Sequence, residues 1–202
     1  LSAIIGWHPE SAKDYTKAQE TQLIEQLQLP EVVALGEIGL DYHWDTSPRD
    51  VQRTVFERQI EIAKSLHMPI SVHTRDALED TYKILKETDV RDCGGIIHSF
   101  NGDSEWLKRF MDLGMQISFS GVVSFKNARE VHEAAKLCPL DVMLVETDAP
   151  YLTPTPYRGK QNQPGYTRYV VEAIAKLREV APEEIAAATY ANAHRIFKLG
   201  AI

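Results

Sequence analysis

The chain is 202 residues long, 44% hydrophobic and 25% charged, and its 22 lysines and arginines against 29 aspartates and glutamates leave a formal charge of −7. That composition excludes disordered, collagen-like and disulfide-dense chains and describes a globular one, with a single domain over 1–202 expected at this length. The acidic surplus argues against tight, purely electrostatic binding of nucleic acid, although a phosphate substrate stays open if bound metal supplies positive charge.

The first residues, Leu1 into Ala3-Ile4-Ile5-Gly6, read like the middle of a strand, so an N-terminally incomplete domain is expected. In chain order, short apolar runs at 3–6, 32–36, 70–73, 95–98, 115–119 and 142–145 read as strands. Between them, amphipathic stretches at 12–27, 49–66, 77–87, 104–113 and 127–137 read as helices. Ser47 is placed to cap the second helix, with Pro48 at its first position. Two more helices close the chain, one capped by Thr167 and running to Val180, one opening at Pro182 and stopping near Gly200. The irregular stretch at 150–165 is long enough to be functional. This rhythm of βα units predicts an α/β fold with a parallel sheet, either doubly wound or a (β/α)8 TIM-barrel type with six of eight units visible. No Gly-x-Gly-x-x-Gly follows a strand, which weakens the dinucleotide alternative.

No apolar run approaches the roughly 18 residues of a membrane span and no signal segment opens the chain, so no membrane association and a cytoplasmic location are expected. Cys93 and Cys138, 45 residues apart, suit buried thiols in a reducing compartment. No protein partner can be inferred.

The chemistry gathers at strand ends. Glu37, His73, His98 and Asp148 each close or follow an apolar run, at separations of 36, 25 and 50 residues. In a barrel such positions converge on the catalytic face. Two imidazoles and two carboxylates form a mixed N/O set suited to divalent Mg, Mn, Zn, Co or Fe. Arg75 follows His73 by two residues and can hold an anion or pair with Asp76 or Glu79. His8, after the first strand, is a further ligand, a phosphate donor or a loop residue. Glu146 reads as supporting or packing, His67, His132 and His194 as surface or packing, and His43 stays open. In the long loop, Arg158, Lys160, Asn162 and Tyr166 form a candidate substrate loop of donors and an aromatic face.

Six ordered motifs then resemble one family: Gly-Trp-His-Pro at 6–9, Gly-Glu-Ile-Gly-Leu-Asp-Tyr at 36–42, Pro-Ile-Ser-Val-His-Thr-Arg-Asp-Ala at 69–77, Ile-His-Ser-Phe-Asn-Gly at 97–102, Glu-Thr-Asp-Ala-Pro-Tyr-Leu at 146–152 and Arg-Gly-Lys-x-Asn-x-Pro at 158–164. They are similar to the TatD-type metal-dependent DNases of the amidohydrolase-like superfamily. The resemblance implies a (β/α)8 barrel, divalent metal ions, two of them in the complete protein, and hydrolysis of phosphodiester bonds in DNA, often 3′-to-5′ on single strands. It implies that Glu37 bridges two metals, that His73 and His98 bind one, and that Asp148 binds the other and takes the proton from water, making Asp148 and Glu37 the catalytic pair. His8 and Arg75 would hold the phosphate. The family's opening His-x-His has no counterpart in this sequence, so the first two βα units are expected to be missing and the deeper metal weakened. The alternatives are an amide, ester or aminoacyl hydrolase with the same site, or an inactive truncated form.

Overall fold

A computed structural model describes residues 1–200 of the chain, in two compact units. The first comprises residues 1–97, 113–115 and 196–200. Its elements are β1 (Ala3–Ile5), α1 (Lys17–Gln26), β2 (Val32–Asp41), α2 (Arg49–Ser65), β3 (Ile70–Arg75), α3 (Leu78–Glu87) and β4 (Gly95–Ile97). The four strands are parallel and lie in chain order.

A parallel sheet covered on both faces needs strands that are apolar without alternation. Ala34, Leu35, Ile38 and Leu40 of β2 and Ile70 and Val72 of β3 are all fully buried. α2 lays Phe56, Ile60 and Ala63, spaced at helical intervals, into the same core. Its two buried amides do a different task. Gln59 exchanges hydrogen bonds with the Trp7 backbone at 2.7 and 3.0 Å. Gln52 accepts from Asp41 N and donates to Asp41 O and Ser47 O. The helix thus fixes the chain just past β1 and the end of β2.

The second unit holds residues 98–112 and 116–195. It contains α4 (Ser104–Asp112), β5 (Gln116–Phe119), α5 (Arg129–Leu137), β6 (Met143–Val145), α6 (Thr167–Arg178) and α7 (Pro182–Ile196). β5 and β6 pair in parallel. Phe100 and Phe119 meet edge to face at 6.0 Å, and Phe110, Val170, Ile174 and Ile185 of the same unit are buried. Asn192 of α7 donates to Leu140 O and Met143 O, each at 2.7 Å, and Arg195 to Asp141 O, so the last helix clamps the start of β6. Arg178 of α6 donates to the carbonyls of Ala135, Lys136 and Cys138 and closes the end of α5.

All six expected strands form, and the class is α/β. Several boundaries move for physical reasons. β2 does not stop at Gly36: it pairs with β3 as far as Asp41, so Glu37 lies inside a strand. The expected helix at 12–27 is a 3-10 turn, Pro9–Asp14, followed by α1, which the Thr16 side chain caps. Ser47 is not a helix cap. Its buried hydroxyl donates to Glu10 O and accepts from Lys13 N, and the cap position falls to Pro48. Thr167 is the first residue of α6 rather than its cap, with its hydroxyl donating to Pro164 O. α7 ends at Ile196, short of Gly200. Among the described residues, no helix is long and apolar enough to cross a membrane.

Candidate metal centre

Strand register builds the first cluster. β2 runs beside β3 with Gly39 opposite His73 and Asp41 opposite Arg75. Side chains alternate along a strand, so Glu37 and Asp41 flank Gly39 on one face. Gly39 has φ +142°, and an added Cβ would lie 1.9 Å from the His73 carbonyl oxygen. Only glycine lets β2 pass this close to the histidine.

His73 lies between the two carboxylates, with Nδ1 2.7 Å from Glu37 Oε1 and Nε2 2.8 Å from Asp41 Oδ2. Burial opposes charge on the ring, but the two carboxylates outweigh it and push the His73 pKa up to about 9. Asp41 is fully buried. Burial alone would raise its pKa, yet hydrogen bonds from His73 and the Trp44 and His43 amides hold it down at about 2. The pair fits a divalent cation. Exchanging the Nδ1 proton for a cation leaves Nε2–H on Asp41, the arrangement by which buried carboxylates orient metal-binding histidines. Glu37, at the more open side, is placed to offer an oxygen ligand.

Ligand atoms of His8, Glu37 and His73 all lie within 4.8 Å of one another, so geometry alone admits His8 as a third ligand. Its hydrogen bonding favours another role. His8 Nδ1 accepts from Glu10 N at 3.3 Å, capping the 3-10 turn, which leaves the proton of a neutral ring on Nε2. Burial and the neighbouring His73 lower its pKa, against the pull of Glu37. That makes His8 a neutral donor, with Nε2 3.8 Å from Glu37 Oε1 and its ring edge-on to His73. Arg75 ends β3 with its guanidinium over the exposed Trp44 ring, 5.4 Å from the centroid. His43 pairs with Asp76 at 3.1 Å.

The second unit builds a similar pair. His98 follows β4, with Nδ1 2.8 Å from Glu146 Oε2 and Nε2 3.5 Å from Asp148 Oδ1. Glu146 also accepts from Ser99 N at 2.5 Å. Glu146 is therefore the orienting carboxylate and Asp148 the one on the other ring nitrogen. Beyond them, Asn162 is buried and its amide is spent within the loop, donating to Tyr151 O at 2.6 Å and accepting from Gln163 N. Arg158 rests on Phe125, Lys160 over Tyr157, and Tyr166 stacks on Tyr157.

Of the residues singled out in the sequence, the structure brings His8, Glu37 and His73 together in one unit and His98 and Asp148 together in the other. Sequence reasoning passed over Asp41 as a functional residue, quoting it only within a motif. The signal was present, since Glu37 and Asp41 are separated by four residues in a strand and so share a face.

A family model described as "TatD related DNase" matches residues 1–198. The chain is 48% identical over 199 residues to the "Uncharacterized metal-dependent hydrolase YabD" of Bacillus subtilis, covering 98% of this chain and 78% of that protein. It is 46% identical over 197 residues to the similarly named YcfH of Escherichia coli K12, covering 97% and 73%. The crystal structure of the TatD homologue YJJV from Escherichia coli K12 superposes with a TM-score of 0.92 at 29% identity, covering 99% of this chain and 78% of that one.

Proposed function

This chain belongs to the TatD-related DNase family, whose curated relatives are named metal-dependent hydrolases, and from that premise we propose that it is a divalent-metal-dependent deoxyribonuclease, a 3′-to-5′ exonuclease on single-stranded DNA. The observation that carries the reading is the doubled histidine arrangement. His73 and His98 each give one ring nitrogen to a carboxylate, Asp41 or Glu146, and turn the other to Glu37 or Asp148.

Glu37 and His73 are the cation ligands of the first unit, and His98 and Asp148 are the corresponding pair of the second. A bound divalent cation supplies charge to the phosphoryl oxygens and lowers the pKa of water. The chain's own groups do the rest. Asp148, on the far ring nitrogen of His98, takes the proton of the attacking water. His8 donates its Nε2–H to a phosphoryl oxygen. Arg75 offers its planar fork to the same anion, where charge develops as the bond breaks. The mixed N/O ligand set suits Mn, Zn, Fe or Co, as well as Mg-assisted work.

Incubating the protein with a single-stranded oligonucleotide in EDTA, Mg²⁺ or Mn²⁺, beside an aryl ester and an amide, tests this. Nucleotide release only with the cation, and its loss by at least about a hundredfold in Glu37→Ala, is the expected result. Metal-dependent ester or amide cleavage with the oligonucleotide intact would replace the DNase reading with an acyl hydrolase.

A further inference from the structure

We propose that the loop following Asp148 carries a base-stacking track for single-stranded nucleic acid, with the Tyr151 ring as its platform and Arg158 and Lys160 as its phosphate contacts. The inference rests on the phosphodiesterase reading above and adds how a polynucleotide is held.

The charge pattern is the first observation. In a chain of net charge −7, residues 149–171 contain no aspartate or glutamate, three cations, Arg158, Lys160 and Arg168, and four of the eight tyrosines. Arg168 has a nearby carboxylate in Glu172, 3.9 Å away. Arg158 and Lys160 instead rest on ring faces, with the guanidinium 3.9 Å from the Phe125 centroid and the ammonium 5.5 Å from that of Tyr157. Aromatic rings fix a cation without neutralising it, so these two keep their charge for an anion.

The second observation is the posture of Tyr151. Its ring is 70% exposed, an unusual state for a large aromatic side chain. Its backbone is nevertheless held on both sides. The N–H donates to Asp148 O at 2.6 Å and the carbonyl accepts from the buried Asn162 amide at 2.6 Å. Thr153 donates to Lys160 O, and Thr155 N donates to Ser124 Oγ, so the loop is braced along its length. A pinned backbone with an open ring, three residues from Asp148, is a preorganised platform. Every base has a face that can stack on it, and the ordering cost is met before binding.

The test measures binding in EDTA, where no strand is cut, by fluorescence anisotropy of a labelled thymidine oligonucleotide and of an abasic strand with the same number of phosphates. The intact protein should hold the base-bearing strand about tenfold more tightly. Tyr151→Ala should erase that preference and Tyr151→Trp should keep it. Lys160→Gln should make the plot of log K against log salt shallower by about 0.7, leaving the base preference in place. Equal affinity for the two strands, or an unaltered preference in Tyr151→Ala, would overturn the track. Base-dependent binding by a protein that hydrolyses no DNA would instead overturn the enzymatic reading and leave the track standing.

Discussion

At the scale of single residues, the molecule shows how much an orienting carboxylate does. Asp41 never reaches solvent, yet it holds the far nitrogen of His73 and receives the amides of His43 and Trp44. Asp41→Asn keeps an oxygen for those amides but removes the charge that keeps the Nε2 proton in place. Metal affinity should fall by about ten- to a hundredfold, with the melting temperature little changed, as calorimetric titration with Mn²⁺ and a thermal scan would show. Affinity equal to the parent's would mean that Asp41 serves the turn alone. The histidines and acids at strand ends were legible in the sequence because each interrupts an apolar run. Asp41 was harder to see because the run it closes, Ile38 to Leu40, begins after another charged residue. A glutamate inside a buried strand looks like a strand's end until pairing shows that its neighbours continue.

At the scale of elements, two contacts set the frame around the first cluster. Gly39 passes against the His73 carbonyl with no room for a methyl group. Gly39→Ala should lower stability by roughly 3 kcal/mol or more and weaken cation binding with it, and urea unfolding would measure the loss. A midpoint matching the parent's would show that β2 can shift at little cost. Farther out, α1 and α2 are joined by Glu20, buried to 5% exposure, whose carboxylate takes two hydrogen bonds from Arg58 and one from Lys17. The Arg58 guanidinium, then the Lys17 ammonium, draw its pKa from 4.5 down to about 2. A carboxyl that titrates lower in the folded state stabilises it above its unfolded pKa. The contribution is therefore full above about pH 4.5 and is lost as pH falls toward 2. Glu20→Gln should be less stable than the parent by roughly 2 kcal/mol at about pH 6, and the gap should narrow by about pH 3 and close below about pH 2. A gap independent of pH would assign the loss to packing. The strands and most helices were legible from periodicity, whereas the 3-10 turn at Pro9–Asp14 was not, because its apolar spacing imitates the start of α1. Ser47 misled for a related reason: a serine before a proline looks like a cap, and only the tertiary approach of Glu10 recruits its hydroxyl elsewhere.

At the scale of the whole molecule, the acidic total conceals a basic stretch, which is why net charge alone argues against nucleic acid while residues 149–171 argue for it. The cysteines follow the expectation of buried, unpaired thiols more closely. Both are free, Cys138 buried and Cys93 half-buried, and partial or full burial pushes Cys93 up to about 11 and Cys138 up to about 12. Ellman's reagent at about pH 8 should react slowly with the native protein and promptly with both thiols in guanidinium. Rapid reaction of the folded protein would contradict that burial. The irregular stretch at 150–165 was legible as a long loop, but not the different postures of the residues within it. Asn162 turns inward to brace the chain while Tyr151 turns outward, and nothing in the local sequence separates the two.

The clamp of α7 on β6 bears on the order in which the protein is made. Asn192 is the residue whose amide ties down the Leu140 and Met143 carbonyls ahead of Glu146 and Asp148. During synthesis, strands of the first unit can settle while the ribosome is still working, but the carboxylates of the second acquire their anchored strand only once residue 192 has emerged. A chain cut short in the last helix thus lacks the amide that anchors β6 ahead of Glu146 and Asp148.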